Sequence, residues 1–271
     1  LSWHEKKNKY ILRVFIPEND IDIFAIDEKN NEFQLQKTKY YGIFENTFDK
    51  KFFYKLKITY QNEKQKIVYD PYYFDKTIIT DFDLYLFNEG NCYEIYKKLG
   101  AIKTEVYGID GYHFSVWAPN AIRVSIVGDF NNWDGRKNQM KILGNSGVWF
   151  LFVPELPNFS LYKFEIKTKK GEILIKSDPY GKYFEKRPKN SSITYDLKYK
   201  WNDNKWKENL KKKDIYKEPF LTYEIHAGSW KRKNGDFLNY RELADELVNY
   251  LKEAGFNWVE FLLLSEHPLD S

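Results

Sequence analysis

The chain has 271 residues, of which 43 are basic and 39 acidic, giving a formal net charge of +4. This length suits two or three domains, and lysines scattered without a basic block argue against a nucleic-acid-binding protein. Cys92 is the only cysteine, which excludes an intrachain disulfide. The absence of an apolar run of about twenty residues argues against a membrane partner, and together these features favour the cytoplasm.

Short sequences recur in the same order in the first 80 residues and in the middle of the chain. Residues 12–17 (LRVFIP) match 114–119 (FSVWAP), and 70–72 (DPY) match 178–180 (DPY). Both copies hold alternating apolar and polar residues, and aromatic residues make up 19% of the chain. We therefore predict that one β-sandwich has been duplicated.

The repeat sets the predicted domain boundaries. Residues 1–80 form a first sandwich, and residues 105–200 form a second. Between them, residues 81–104 carry leucines and aromatic residues that end at Gly100. An apolar segment that stops at a glycine is typical of a helical connector. Residues 201–218 are predicted to be a linker.

A turn in the second copy has the composition of a sugar-binding site. Residues 128–134 (GDFNNWD) follow an alternating strand and combine an aromatic ring with two amides. A sugar ring offers flat C–H faces and a rim of hydroxyl groups, so Trp133 would stack on it while Asn131 and Lys163 donate hydrogen bonds. The alternative is that Trp133 is a half-buried core edge and the Asn pair an ordinary turn.

The pattern changes from residue 219 onward. Residues 221–226 read as a strand, residues 240–254 have helical spacing, and residues 258–264 form an apolar run. Asn239 with Glu242 is typical of a capping box. A strand, a helix and a strand buried on both faces predict a βαβ unit, but 219–271 is far shorter than the roughly 250 residues of a closed α/β barrel.

Together, these motifs resemble the bacterial glycogen branching enzymes, which are 1,4-α-glucan transferases of glycoside hydrolase family 13. The resemblance covers nearly the whole chain. It rests on the sequences FSVWAP at 114–119, VGDFNNWDG at 127–135, KSDPY at 176–180, YEIHAGSW at 223–230, YRELADE at 240–246 and EHP at 266–268.

The resemblance implies a fold that is mainly β: two tandem immunoglobulin-like β-sandwich modules, then the opening βαβ unit of a truncated (β/α)8 barrel in residues 219–271. The second sandwich would be a family-48 carbohydrate-binding module, with α-glucan such as glycogen or maltooligosaccharide as the partner. No cofactor or metal is implied. Because no residue matches the family's nucleophile or acid/base motif, we assign no catalytic residue and expect the chain as given to be inactive.

Residue by residue, the resemblance gives Trp133, Asn131 and Lys163 sugar contacts. Ile173 stands where the strongest glycogen binders carry a second Trp, so we expect weak binding. Leu263 replaces a proline of the family's strand motif. His226, Glu266 and His267 would lie at the carboxyl ends of barrel strands, where such enzymes place their sites; each also has a purely structural interpretation.

Two other functions fit parts of the sequence. A stand-alone glucan-binding or regulatory protein would explain the sandwiches, but it has no use for a barrel segment with the apolar residues 261–264 (FLLL). A debranching or trehalose-forming relative would share the modules without the sequences at 223–230 and 240–246. We rank this third reading last.

Overall fold

A computed structural model describes residues 1–262 and residue 264. The chain separates into two compact units, residues 1–197 and the residues from 198 onward. Each unit is described by itself. In the described part of the chain, no helix has both the length and the apolar character needed to cross a membrane.

The first module is built of seven antiparallel strands in the spatial order β1-β2-β5-β4-β3-β6-β7. Strand β4 pairs with β3 through its first four residues and with β5 through its last two, so it passes from one layer to the other. Alternate apolar residues, among them Leu12, Ile23 and Leu56, are buried between the layers. The strands are β1 Ser2–Lys6, β2 Lys9–Phe15, β3 Ile21–Ile26, β4 Glu32–Lys37, β5 Ile43–Phe48, β6 Lys55–Tyr60 and β7 Gln65–Tyr69.

The second module consists of two sheets that enclose an aromatic core. One sheet has the order β11-β12-β9-β8, and the other holds β10, β13 and β14, with β15 also paired to β13. Tyr112, Phe114 and Tyr162 are fully buried in this core. The strands are β8 Gly100–Val106, β9 Ile109–Trp117, β10 Ala121–Gly128, β11 Lys141–Ile142, β12 Val148–Pro154, β13 Leu161–Thr168, β14 Ile173–Lys176 and β15 Ser192–Ile193.

The connector between the modules begins and ends earlier in the chain than the predicted residues 81–104, because β7 ends at Tyr69 and β8 begins at Gly100. It contains helix α1 (Asp81–Asn88), capped by Thr80, and 3-10 turns at Pro71–Tyr73 and Ile95–Lys97. Strand β8 already begins at Gly100 and pairs with β9 along its whole length. The end of the predicted connector is therefore an integral strand of the second module.

The connector covers the outer face of the β8-β9-β12 sheet. Phe74 lies against Phe152, with ring centroids 5.2 Å apart, and Ile79 packs with Val148. Strand β9 is consequently buried on both faces, and His113 is as inaccessible as its apolar neighbours. The alternation of apolar and polar residues along β9 predicts that one face of the strand is exposed to solvent. The connector covers that face.

The second unit contains a βαβ unit. Strands β16 (Thr222–His226) and β19 (Trp258–Leu262) are parallel, and helix α4 (Tyr240–Ala254) connects them. The predicted capping box of Asn239 and Glu242 is confirmed. The remaining elements are α2 Asn204–Lys211, α3 Ala227–Trp230, β17 Arg232–Lys233 and β18 Asp236–Phe237.

Strand β19 differs from the sequence-based expectation of burial on both faces. Trp258 is 43% exposed and Leu262 45% exposed. Among the residues of this unit that the structure describes, β19 pairs only with β16. Much of the apolar surface of β19 is therefore accessible in the described part of this unit.

Candidate functional site

The sequence at residues 128–134 forms a tight turn at the end of β10. Gly128 is extended, residues Asp129–Asn131 make one 3-10 turn, and Asn132 and Trp133 both have a left-handed backbone with φ of 57°. The Trp133 N–H donates to the Gly128 carbonyl at 2.9 Å. A bulky residue pays for this conformation in strain, and strain of this kind concentrates at functional sites.

Gly128 allows the turn to sit directly against the neighbouring strand. A β-carbon at this position would lie 2.1 Å from the carbonyl oxygen of Leu161. Since no side chain can occupy that space, a glycine is required where β10 meets β13. The turn is thus anchored to the sheet by backbone contact.

The ring of Trp133 is held in place and partly open to solvent. Its indole N–H donates to Oδ1 of Asp129 at 2.7 Å, and 37% of the residue is exposed. A fixed, accessible aromatic ring provides a stacking surface without a large loss of side-chain entropy.

Asn131 lies inside the turn rather than on its surface. It is only 5% exposed. Its Oδ1 accepts from the Gly128 N–H at 3.0 Å, and its Nδ2 donates to the Ile126 carbonyl at 2.8 Å and to Oδ1 of Asn138 at 2.9 Å. The amide is therefore occupied by protein partners, and in this conformation it braces the turn that presents Trp133.

Lys163 lies on β13, directly across from Val127 of β10. Its cross-strand partner Val127 is the residue immediately before Gly128, which anchors the turn. Its ammonium donates to Oδ1 of Asn190, an exposed residue in the segment before β15. Sequence reasoning missed Asn190 because it lies in a polar, lysine-rich stretch with no motif of its own.

The edge strand β14 adds exposed apolar side chains to the same sheet. Ile173 lies opposite Lys167 and is 48% exposed; Ile175 lies opposite Glu165. Because side chains alternate along a strand, Lys163 and Lys167 share a face of β13. Ile173 is accessible, but as an aliphatic side chain it offers no aromatic stacking surface.

An ion pair closes the loop after Trp133. Arg136 donates from Nε and Nη2 to the two carboxylate oxygens of Asp134, at 3.0 and 2.8 Å. These hydrogen bonds hold the pKa of Asp134 below its usual range. Ser125 also donates to the Gly135 carbonyl at 2.7 Å, so the loop is tied to β10 between the two residues of the ion pair.

The other predicted candidates are not part of this turn. His226 belongs to the second unit, ends β16 and contacts Ser229 Oγ through Nδ1 at 2.8 Å. Glu266, His267 and Leu263 lie outside the described residues. Within the part of the chain that the structure describes, no group of three His, Cys, Asp or Glu residues is placed to hold a metal ion.

Two known families match the two sandwich modules. Residues 1–72 match the N-terminal domain of the alpha-1,4-glucan branching enzyme GlgB, and residues 98–181 match carbohydrate-binding module 48, the isoamylase N-terminal domain. The second match begins close to the start of β8 and includes the Trp133 turn.

The chain is also similar to curated branching enzymes. It is 44% identical over 278 aligned residues to the 1,4-alpha-glucan branching enzyme GlgB of Methylococcus capsulatus, covering 100% of this chain and 37% of that protein. It is 42% identical to the enzyme of Trichormus variabilis, over 97% of this chain and 38% of the relative. With the enzyme of Halothermothrix orenii it shares 53% identity over 71% of this chain and 31% of the relative.

These relatives are much longer, since the chain spans less than two-fifths of the first two. The matches agree with the order of modules in the structure: a GlgB N-terminal domain, a carbohydrate-binding module and a following βαβ unit. The chain belongs to the family of bacterial 1,4-alpha-glucan branching enzymes and corresponds to its N-terminal portion.

Proposed function

We propose that this chain serves in glycogen synthesis as part of a 1,4-α-glucan branching enzyme, and that its second module binds the α-glucan at the Trp133 turn. The parent enzyme would cleave an α-1,4-glucan and transfer the released chain to a 6-hydroxyl group. The observation that carries the binding proposal is the exposure of Trp133: 37% of the residue is accessible although two hydrogen bonds hold it in a strained turn.

A partly exposed ring in this setting suits a sugar. The C–H face of a glucose unit is apolar and stacks on an indole, while its hydroxyl groups need donors and acceptors at the rim. Lys163 and Asn190 supply an ammonium and an amide within contact of each other. In this proposal, Trp133 stacks on the sugar, the Lys163 and Asn190 pair contacts hydroxyl groups, and Asn131 positions Trp133.

The binding should be weak. Ile173 and Ile175 can cover apolar sugar surface but cannot stack as a second indole would, so one platform carries most of the contact. We expect a dissociation constant on the order of tenths of a millimolar or poorer for maltoheptaose, equivalent to roughly 5 kcal/mol.

The 271 residues alone should not transfer glucan chains. Retaining glycosyl transfer needs two carboxylates about 5 Å apart around one glycosidic bond, and we assign no such pair in the described residues. Incubation with amylose should leave the iodine-stained spectrum unchanged. A reproducible shift would contradict this part of the proposal.

Titration of the whole chain with maltoheptaose, followed by amide chemical shifts, tests the binding site. Trp133→Ala should abolish the shifts around residues 128–134 and at Lys163. Trp117→Ala is the matched control, because Trp117 is another exposed tryptophan of the same module, at 53%. Unchanged shifts in Trp133→Ala would mean that the turn is only a core edge.

A further inference from the structure

A cleft in the first unit lies where the two sandwich modules meet. It is open to solvent and has a volume of about 790 Å³, within the range of roughly 300–1,000 Å³ found for ligand pockets. The first module contributes Trp3, Phe15 and Lys51, the connector contributes 71–75, and the second module contributes the tip of the β8-β9 hairpin and part of β12. The cleft therefore needs both modules.

Tyr107 forms an aromatic wall of this cleft under backbone strain. It is 45% exposed and has a left-handed backbone with φ of 53°, followed by Gly108 at 77°. Two-residue hairpin turns of this kind strongly favour Asn or Asp at the first position. A tyrosine there costs conformational energy and, as with Trp133, it presents a ring to solvent.

The ring of Tyr107 is fixed by its neighbours. Its hydroxyl donates to Oδ1 of Asp75 at 2.8 Å, and its centroid lies 5.9 Å from that of Tyr73. The ammonium of Lys76 lies 4.6 Å from the same ring. Such a preorganised ring can stack on a ligand at little entropic cost.

Acidic, basic and neutral polar groups line the cleft around Tyr107. The Gln139 N–H donates to the Tyr72 hydroxyl at 2.8 Å, which ties the second module to the connector at the lining of the cleft. Asp75 supplies a carboxylate, and the exposed Lys51 and Lys141 supply ammonium groups. An aromatic wall with both donors and acceptors suits a neutral polyhydroxyl compound better than an apolar or purely anionic one.

We propose that this cleft is a second α-glucan site, in which a maltooligosaccharide stacks on Tyr107 and bonds to Asp75, Gln139 and Lys141. A glucan held there contacts both modules at once and favours their docked arrangement. The site is separate from the Trp133 turn and does not depend on binding at that turn.

The test uses the whole chain carrying Trp133→Ala, so that binding at the turn does not contribute. Maltoheptaose should still shift the amide signals of Tyr107, Gln139 and Lys141 in this background. Adding Tyr107→Asn should weaken that residual binding at least fivefold. Because Asn tolerates the left-handed backbone, relief of that strain should partly offset the lost contacts to Asp75 and Tyr73, and the urea midpoint should stay close to that of the Trp133→Ala parent.

Tyr93→Asn is the matched control, because Tyr93 is 85% exposed and does not line the cleft. It should leave the residual binding unchanged. Three results would overturn the proposal: no maltoheptaose shifts at the cleft in Trp133→Ala, equal residual binding with and without Tyr107→Asn, or shifts with inorganic phosphate in place of maltoheptaose.

Discussion

The hydroxyl of Tyr162 donates to Oδ2 of the buried Asp178 at 2.6 Å, and Tyr54 makes the same bond to Asp70 in the first module, also at 2.6 Å. In both modules the two residues are 16 positions apart. The other carboxylate oxygen accepts a backbone N–H two residues further on, from Tyr180 or Tyr72. The predicted duplication is thus visible as one buried hydrogen-bonded pair used twice.

Removal of either tyrosine hydroxyl should destabilise its module. Tyr162→Phe leaves the buried Asp178 carboxyl with one partner fewer, and burial already raises the pKa of that carboxyl. We expect a loss of about 2 kcal/mol in the free energy of unfolding, and a similar loss for Tyr54→Phe. Urea denaturation measures both; Tyr93→Phe, at an exposed tyrosine, is the control. A wild-type midpoint for Tyr162→Phe would contradict this role.

His113 should make the second module sensitive to acid. Burial lowers the pKa of His113 to about 4, while the unfolded chain has an ordinary value near 6.5. The stabilisation is therefore complete above pH 6.5 and is lost as the pH falls toward 4, by about 3 kcal/mol in total. Urea denaturation at pH 7 and pH 4.5 should show a smaller difference for His113→Gln than for wild type.

The comparison with His113→Gln isolates the histidine from the buried carboxyls. Burial raises the pKa of Asp70 and of Asp178, so their contribution is present below the unfolded value near 3.8 and declines as the pH rises. The pH dependence contributed by the two carboxyls is opposite in direction to that of His113, and it is the same in wild type and in His113→Gln. An identical pH dependence in the variant would contradict the assignment to His113.

Local patterns in the sequence predict the strands and helices, but they do not predict which other segments pack on them. The alternation of β9 predicts the burial of Tyr112 and Phe114, and the cap at Asn239 predicts the start of α4; both are confirmed. The sequence of β9 does not predict the burial of His113, because that burial depends on the connector. Thr77 of the connector places its Oγ1 3.0 Å from Nε2 of His113.

The candidate site shows the same limit. Trp133 and its turn follow from the residues at 128–134, because the spacing of strand, glycine and amides is local. The internal role of Asn131 depends on the Ile126 carbonyl and on Asn138, and the contact of Lys163 with Asn190 joins residues 27 positions apart. Such partners are set by the folded sheet rather than by neighbouring sequence.

The second module should require part of the connector to fold. Residues 105–200, the boundaries predicted from the sequence, omit most of β8 and the residues that cover Phe152 and His113. Residues 70–197 keep them. Thermal unfolding followed by circular dichroism should be cooperative for 70–197 and broad or markedly lower in midpoint for 105–200. Equal transitions would show that the connector is dispensable.

Asn131→Ala should weaken both the fold and glucan binding. The substitution leaves the buried Gly128 N–H and Ile126 carbonyl without their amide partner, which we expect to cost about 2–3 kcal/mol in the free energy of unfolding. Because the same amide braces the turn, Trp133 should lose its fixed position and maltoheptaose affinity should fall severalfold.

The matched control for this prediction is Asn132→Ala. Asn132 is exposed, and alanine there loses only the tolerance for the left-handed backbone, so the stability loss should be about 1 kcal/mol. The urea midpoint and the maltoheptaose titration are measured for both variants at a pH and temperature where each is folded. If Asn131→Ala retained wild-type stability but lost glucan binding, Asn131 would contact the sugar itself, as the sequence first suggested. A loss of stability accompanied by reduced binding identifies it as the residue that holds Trp133 in position.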